Sequence, residues 1–515
     1  MASPRLIQSG PGAGPAVAIV GGGLAGLAAA CALSESGFRV TVFERRPYLG
    51  GRASSYVHPG TGEVVDNCQH VLFELCTNLI GFYKRIGIED RIRWFDRMTF
   101  IEPGGRESVL EPSFLPAPLH VTPSFLSFKF LTLRDKVSLV YALSALITRK
   151  QADQGVPFQA WLERHGQTPN AIECFWKPVL TSALSEDLDR IAVPYAAQVV
   201  RESMKSRSAR TMGVPAVPLS ELYVAARDYI TGRGGRVRLR SSVQSFLPAA
   251  DGVGIRLEDS EERFDYAVLA IPFDALGKLL PASAEAEDLR AAAGRFRAAP
   301  ITGVHLWFDR RITELPHAVL LGRTIQWMFH KSLLLGAAPP SAGSLEPVAS
   351  FPRSLQGEQD GSARREDGSS NGRGSYVELV ISASKSLIER SRQEIIDLAL
   401  HELREFFPGA RDASLVKATV VKELNATFSP LPGIDRYRPG QRTAWPRVLL
   451  AGDWTATGWP ATMEGAVRSG YLAAEALAGH AGVRNRYVLA DLAGGGLMRI
   501  LAGPLISPDN DIVPG

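Results

Sequence analysis

The segment Ala16 to Arg52, AVAIVGGGLAGLAAACALSESGFRVTVFERRPYLGGR, constrains this chain more than any other. A short apolar run, Ala16 to Val20, reads as a buried strand. Gly21, Gly23 and Gly26 follow in G-x-G-x-x-G spacing, and an Ala/Leu-rich helix is expected from about Leu24 to Ser36, stopped by Gly37. A second strand, Arg39 to Phe43, ends on Glu44. A lone glycine triplet would say little; strand, glycines, helix, strand and acid in that order predict a dinucleotide-binding βαβ unit. Gly21 permits the tight turn, Gly23 lets backbone approach a pyrophosphate, and Gly26 lets the helix lie close to the strand. The helix start at Leu24 and Ala25 offers unpaired N–H groups and a positive dipole end to phosphates. Glu44 is placed to accept from ribose hydroxyls.

With 515 residues the chain is long enough for two or three domains and a large core. Its 57 basic and 53 acidic residues balance to +4, which argues against nucleic acid as a partner. Cys31, Cys68, Cys76 and Cys174 form no C-x-x-C pair, so neither a disulfide framework nor a metal site is expected, and a reducing cytoplasm fits. Residues 1–15 read as a disordered leader without the apolar core of a secretory signal. No apolar run approaches the roughly 18 residues of a membrane span. Any membrane contact would be peripheral, on the inner face of the cell membrane.

Beyond Arg52, Asp66-Asn-Cys-Gln-His70 is a dense polar cluster between Val65 and Val71. It is either a hydrogen-bonded turn or a turn that points one side chain, most plausibly His70, at a substrate. A core helix is expected at about Thr77 to Ile86 and another from Leu133 to about Ile147. The apolar residues 95–150 have two compatible readings: a helical core, or a bilayer-touching surface that opens into a greasy channel. Aromatics around Phe175-Trp176 belong to a pocket or to the core. The basic run Arg201 to Arg210 reads as a solvated helix face. A helix from Leu219 to Ile230 ends at Gly232, and strands follow at Arg236 to Leu239, Val253 to Leu257 and Tyr266 to Ala270. Ile301 to Phe308 and Tyr376 to Ser382 read as further strands, and Ser391 to Phe407 as an amphipathic helix. Residues 338–375, poor in apolar side chains, read as a disordered insertion. Near the C-terminus a strand ends at Gly452-Asp453, and a helix is expected from about Pro460.

Glu44-Arg45-Arg46-Pro-Tyr-Leu-Gly50-Gly51-Arg52 resembles the continuation found in FAD-binding proteins of the amine oxidase and phytoene desaturase superfamily, which favours FAD over NAD. There the Gly-Gly-Arg turn lies beside the FAD phosphates, with Arg52 able to fork onto one of them. The resemblance implies that Val243 presents backbone to the adenine side. It implies that Asp453 of the Gly452-Asp453 pair bonds the ribityl or phosphate region. It also sets the Thr462-Met463 backbone, with Gly465 and Ala466 in the same helix start, by the flavin pyrimidine edge. The implied fold is α/β, a Rossmann-like FAD-binding domain of the GR2 type with a discontinuous mixed α+β substrate domain. Residues 16–95, 219–295 and 436–480 are assigned to the first and 96–218 with 296–435 to the second, leaving 481–515 as a tail.

Asp66-Asn-Cys-Gln-His70 with Cys76-Thr-Asn-Leu-Ile80, and Phe175-Trp-Lys-Pro-Val179 with Ser182-Ala-Leu184, narrow the resemblance. They are similar to the squalene-associated FAD-dependent desaturase group, the bacterial hydroxysqualene dehydroxylases. That group implies reduction of hydroxysqualene to squalene in hopanoid synthesis. Hydride would come from reduced flavin, and His70 or Asp66 would protonate the leaving hydroxide. The reductant would be NADPH or a redox partner protein. The alternatives are a carotenoid-type C30 or C40 desaturase and a flavin amine oxidase, which share every FAD motif.

Overall fold

The computed structural model describes residues 14–148, 155–335 and 374–501. Residues 1–13 of the expected leader, nearly all of the expected insertion, and residues 502–515 of the tail lie outside the described residues.

The glycine motif sits in a fully parallel five-stranded sheet, ordered 236–238, 39–43, 16–20, 266–269, 448–450. Strand Ala16–Val20 is central and pairs Val17 to Val40 on one side and to Tyr266 on the other. Its burial on both faces explains the unbroken apolar run. Helix α1, Leu24–Glu35, returns across the sheet and ends where Gly37 takes φ +84°. Helix α2, Thr77–Ile86, buries Leu79, Phe82 and Tyr83 and stops at Gly87 in the left-handed region. Helix α3, Leu133–Thr148, buries Leu139, Ala142 and Leu146. Helix α4, Met463–His480, packs against α1. A Cβ at Gly470 of α4 would meet the Ala25 carbonyl at 2.2 Å, so glycine there and alanine in α1 let the two backbones touch. That contact brings the N-terminal and C-terminal motifs to one edge of the sheet.

A seven-stranded sheet, ordered 415–428, 298–308, 375–382, 327–330, 317–320, 98–101, 107–110, forms a second layer. It is antiparallel except where Val319 and Leu320 run parallel to Phe100 and Ile101. Strand Ala298–Phe308 is longer than the expected Ile301 to Phe308, because Ala298 and Ala299 pair with Phe428 and Thr427 of strand 415–428.

Several local expectations change. The helix expected over Leu219 to Ile230 is broken at Tyr223 into Leu219–Leu222 and Val224–Thr231. The C-terminal helix begins at Met463 rather than near Pro460, since the Thr462 side chain accepts from the Gly465 amide (3.0 Å) and fixes the cap there. Ser375, placed in the insertion by composition, is buried in strand Ser375–Ser382, with its hydroxyl oxygen accepting from the Ile312 amide at 3.0 Å. Ser391 caps helix Arg392–Phe406 in a reciprocal pair with Glu394.

Candidate functional site

A cavity of about 800 Å³ runs from the glycine turn to the seven-stranded sheet. Its first end is built from backbone. Gly21 has φ +110°, and a Cβ there would meet the Ala270 carbonyl at 2.3 Å. Gly26 is held to glycine by the Gly21 carbonyl, 2.0 Å from where its Cβ would stand; it faces the strand, not the cavity. Gly23, by contrast, would place its Cβ in open space, with only the Gly51 Cα at 3.8 Å. Gly23 and Gly50 form an isolated parallel bridge, which joins the two glycine elements into one wall. Gly21, Gly23, Leu24, Ala25, Glu44, Arg45, Gly50, Gly51 and Val243 all line this end. No side chain caps the N-terminus of α1, so its first amides are left for a ligand. Glu44 accepts from the Gly22 amide (2.7 Å) and the Arg46 amide (2.8 Å), one bond to each oxygen, so each keeps a lone pair for another donor. Open cradle, free helix amides and a placed carboxylate suit a phosphate-linked dinucleotide.

The C-terminal motif closes over this wall. Arg52 donates to Asp453 (2.7 Å) and to the Ala426 carbonyl (2.8 Å). The guanidinium expected to fork onto a phosphate therefore spends two donors within the protein, and the Asp453 carboxylate is paired before any ligand arrives. Burial opposes the charge on Arg52, but Asp453 outweighs it and raises its pKa. Gly452, Asp453, Thr462, Met463 and Ala466 line the cavity. Gly465 does not, because its amide is turned onto the Thr462 cap. Glu464 reaches the amides of Asn78 (3.2 Å) and Leu79 (2.8 Å), so α4 caps the start of α2 across the chain.

Between the two ends lies the turn 66–70. Asn67, Cys68, Gln69 and His70 line the cavity, but Asp66 does not. Asp66 is buried and faces the other way, accepting from Lys331 Nζ (2.6 Å), Ser55 Oγ (2.5 Å) and the Leu219 amide (3.2 Å). Burial alone would raise its pKa; the Lys331 ammonium holds it below the usual carboxylate range, so Asp66 is not a proton donor at neutral pH. Lys331 also donates to Gln69 Oε1 (2.6 Å), and Glu378 accepts from the Gln69 amide (2.5 Å). Burial, with Asp66 adding to it against the pull of Lys331, pushes Glu378 up to about 8. His70 Nδ1 donates to the Cys68 carbonyl at 2.7 Å, the tautomer that bond requires, and leaves Nε2 as an acceptor. Burial lowers its pKa, so the ring is neutral at pH 7. His70 therefore presents an unprotonated Nε2 at neutral pH.

The far end is apolar. Met98, Phe100, Val319, Trp327, Phe329 and Val380 line it, and Trp327 Nε1 donates to Ser182 Oγ (2.9 Å). Pro178, Val179, Ser182 and Ala183 add a helical wall, whereas Trp176 is buried core. The basic run is not a solvated face. Lys205 is buried against Glu202 (2.8 Å), Arg201 donates to the Leu146 carbonyl (2.7 Å), and Arg210 lines the cavity. Sequence reasoning missed Lys331, Glu378 and Arg210. Only a lysine and a glutamate in otherwise apolar strand contexts hinted at the first two.

The chain resembles known proteins along most of its length. The profile of the family described as flavin containing amine oxidoreductase matches residues 24–478. The 15-cis-phytoene desaturase of Synechococcus elongatus is 27% identical over 482 residues, covering 90% of this chain and 95% of that one. A probable zeta-carotene desaturase of the same organism is 27% identical over 485 residues, covering 90% and 98%. Among solved structures, an oxidoreductase from Methanosarcina mazei aligns with a TM-score of 0.63 at 18% identity, covering 88% of this chain and 98% of that one. Putrescine oxidase aligns with a TM-score of 0.63 at 16% identity, covering 91% and 98%. The family match runs from the helix that follows the glycine turn, through the Gly50-Gly51 element and the residues lining the cavity, nearly to the end of α4, and the fold is shared with the solved structures. The chain belongs to the flavin-containing amine oxidoreductase family, and its cofactor is FAD.

Proposed function

We propose that this chain exchanges a hydride at an allylic carbon of a long isoprenoid held in the apolar end of the cavity. The observation that carries this reading is one continuous cavity with a dinucleotide cradle at one end and a wall of Met98, Phe100, Val319, Trp327 and Phe329 at the other. Bound FAD supplies the hydride acceptor or donor. Gly21, Gly23, Gly50, Gly51 and the first turn of α1 hold its pyrophosphate, Glu44 its ribose, Val243 its adenine side, and Thr462 with Met463 its pyrimidine edge. The apolar wall aligns the chain and keeps water from the reacting carbon.

Oxidation, which introduces a double bond, is the direction that the phytoene and zeta-carotene desaturase relatives support. A hydride then leaves one carbon and a proton its neighbour, and the neutral His70 suits the proton. Reduction of hydroxysqualene keeps support from the segments that carry that resemblance: Asn67 to His70, Cys76, Pro178, Val179, Ser182 and Ala183 all reach the cavity wall. The two directions separate in anaerobic assays. Oxidised holoprotein with phytoene yields a more unsaturated product under the first, and reduced holoprotein with hydroxysqualene yields squalene under the second.

The isoprenoid enters from a bilayer. Leu133, Val137 and Tyr141 of α3 are exposed by 77%, 64% and 60%, with Arg134 and Lys136 beside them. Phe100 on the cavity wall packs on Phe128 (5.6 Å) and Phe130 (5.9 Å), in the stretch that leads into α3. Among the described residues no helix is long and apolar enough to cross a membrane. Sedimentation with anionic vesicles tests the contact, and Leu133→Ser with Val137→Ser is expected to abolish it.

A further inference from the structure

His70 sits on a turn that no strand ladder holds. Residues 67–71 lie between strands Val64–Asp66 and Leu72–Phe73, so their backbone polar groups need other partners. His70 Nδ1 donates to the Cys68 carbonyl, but both atoms belong to the turn. That bond sets the ring relative to the turn and does not set the turn relative to the cavity. Two residues of the seven-stranded layer do. Lys331 follows strand Trp327–His330, and Glu378 lies in the neighbouring strand Ser375–Ser382. Their side chains are 2% and 0% exposed, and neither lines the cavity. Both reach Gln69, which does. Glu378 Oε1 accepts from the Gln69 amide (2.5 Å), and Lys331 Nζ donates to Gln69 Oε1 (2.6 Å).

An ammonium only donates, so it selects the oxygen of the Gln69 side chain and turns the NH2 to the His70 carbonyl, 3.0 Å away. The run from Lys331 to His70 is therefore directional: a reversed amide would set an NH2 against an ammonium and an oxygen against a carbonyl. Burial opposes the charge on Lys331, but Asp66 and Glu378 outweigh it, so the donor persists. A group that abstracts a proton has to stand within hydrogen-bond reach of it, and a misplacement of about 1 Å costs on the order of a hundredfold in rate. We propose that Lys331 and Glu378 are positioning residues for His70: through Gln69 they hold its Nε2 at one place on the cavity wall without touching substrate or flavin. This rests on the reading of His70 as proton acceptor in desaturation and adds the residues that aim it.

The test uses full-length FAD-loaded protein in anaerobic single turnover with phytoene, following the rate of flavin reduction against phytoene concentration. Lys331→Met is combined with Asp66→Asn, so that no carboxylate loses its cation. This pair is expected to lower the saturating rate about tenfold or more, while the half-saturating concentration and the oxidised flavin spectrum stay as in the wild type. Gln69→Leu is expected to give the same split. Gln69→Leu added to the pair should lower the rate no further, because all three act through one path. If the pair loses FAD, Gln69→Leu against Glu378→Gln carries the comparison. Wild-type rates in these variants, or losses that multiply when combined, overturn the positioning role. His70→Gln separates the two readings: a slow His70→Gln beside fast Lys331 and Gln69 variants removes only the positioning, and a fast His70→Gln removes the proton acceptor and the positioning together. A wild type that leaves phytoene unchanged overturns desaturation and the positioning with it.

Discussion

The two ends of the cavity are built from different material. The dinucleotide end is backbone: glycines whose Cβ would strike a carbonyl, uncapped helix amides, and a carboxylate tied to the turn it serves. Its parts lie close in sequence and their geometry admits little substitution. The apolar end is side chain, gathered from strands 98–101, 317–320 and 327–330 and from the helix Lys177–Leu184. There the requirement is shape and apolarity, which many residues satisfy. The same fold can therefore keep one cofactor while its substrate end diverges, as neighbours named for amines and relatives named for carotenoids illustrate.

That contrast can be broken most severely at Gly21. Gly21→Val drives a branched side chain into the Ala270 carbonyl at φ +110°, and purified protein is expected to carry essentially no FAD by its absorbance ratio. Lys331→Met strikes the seam between the two ends. It leaves Asp66 buried without its cation, an effect of about 3–5 kcal/mol in chemical denaturation. Adding Asp66→Asn should recover much of that loss; failure to do so would show that Lys331 matters for packing rather than charge.

Glu378 gives a smaller, pH-dependent signature. Its folded value of about 8 lies above the 4.5 of an ordinary glutamate, so the folded state keeps a proton that the unfolded chain has released between those limits. Its stabilising contribution is complete below about pH 4.5 and is lost as pH rises through about 8. Melting curves of Glu378→Gln should lack this decline; parallel curves for wild type and variant would refute the assignment. The mildest change is at the apolar end. Phe100→Leu is expected to cost less than about 1.5 kcal/mol, leave FAD content intact and shift only substrate KM.

The sequence announced the dinucleotide end because a βαβ turn is local: strand, glycines, helix and acid fall within forty-odd residues and each has a recognisable chemistry. The bounds of α2 were equally legible from apolar spacing and Gly87. The seam was not. Asp66 reads as a free acid until Lys331 arrives from the short helix Lys331–Leu334 and Glu378 from strand Ser375–Ser382, far along the chain, and then it is a buried ion-pair partner. Arg210 was hidden by its company: four basic residues within ten suggest a wet helix face, and only packing shows Lys205 buried, Arg201 bonded and Arg210 on the cavity wall. The helix expected at Pro460 waited for Thr462 because the cap, not the proline, decides where the first turn closes.

The most direct test is a single anaerobic turnover. Oxidised holoprotein is mixed with phytoene, and reduced holoprotein with hydroxysqualene, while flavin absorbance and isoprenoid product are followed together. Flavin and product should change in step in one of the two mixtures, and putrescine should leave the oxidised flavin untouched. Reduction by the amine with no response to either isoprenoid would contradict the account.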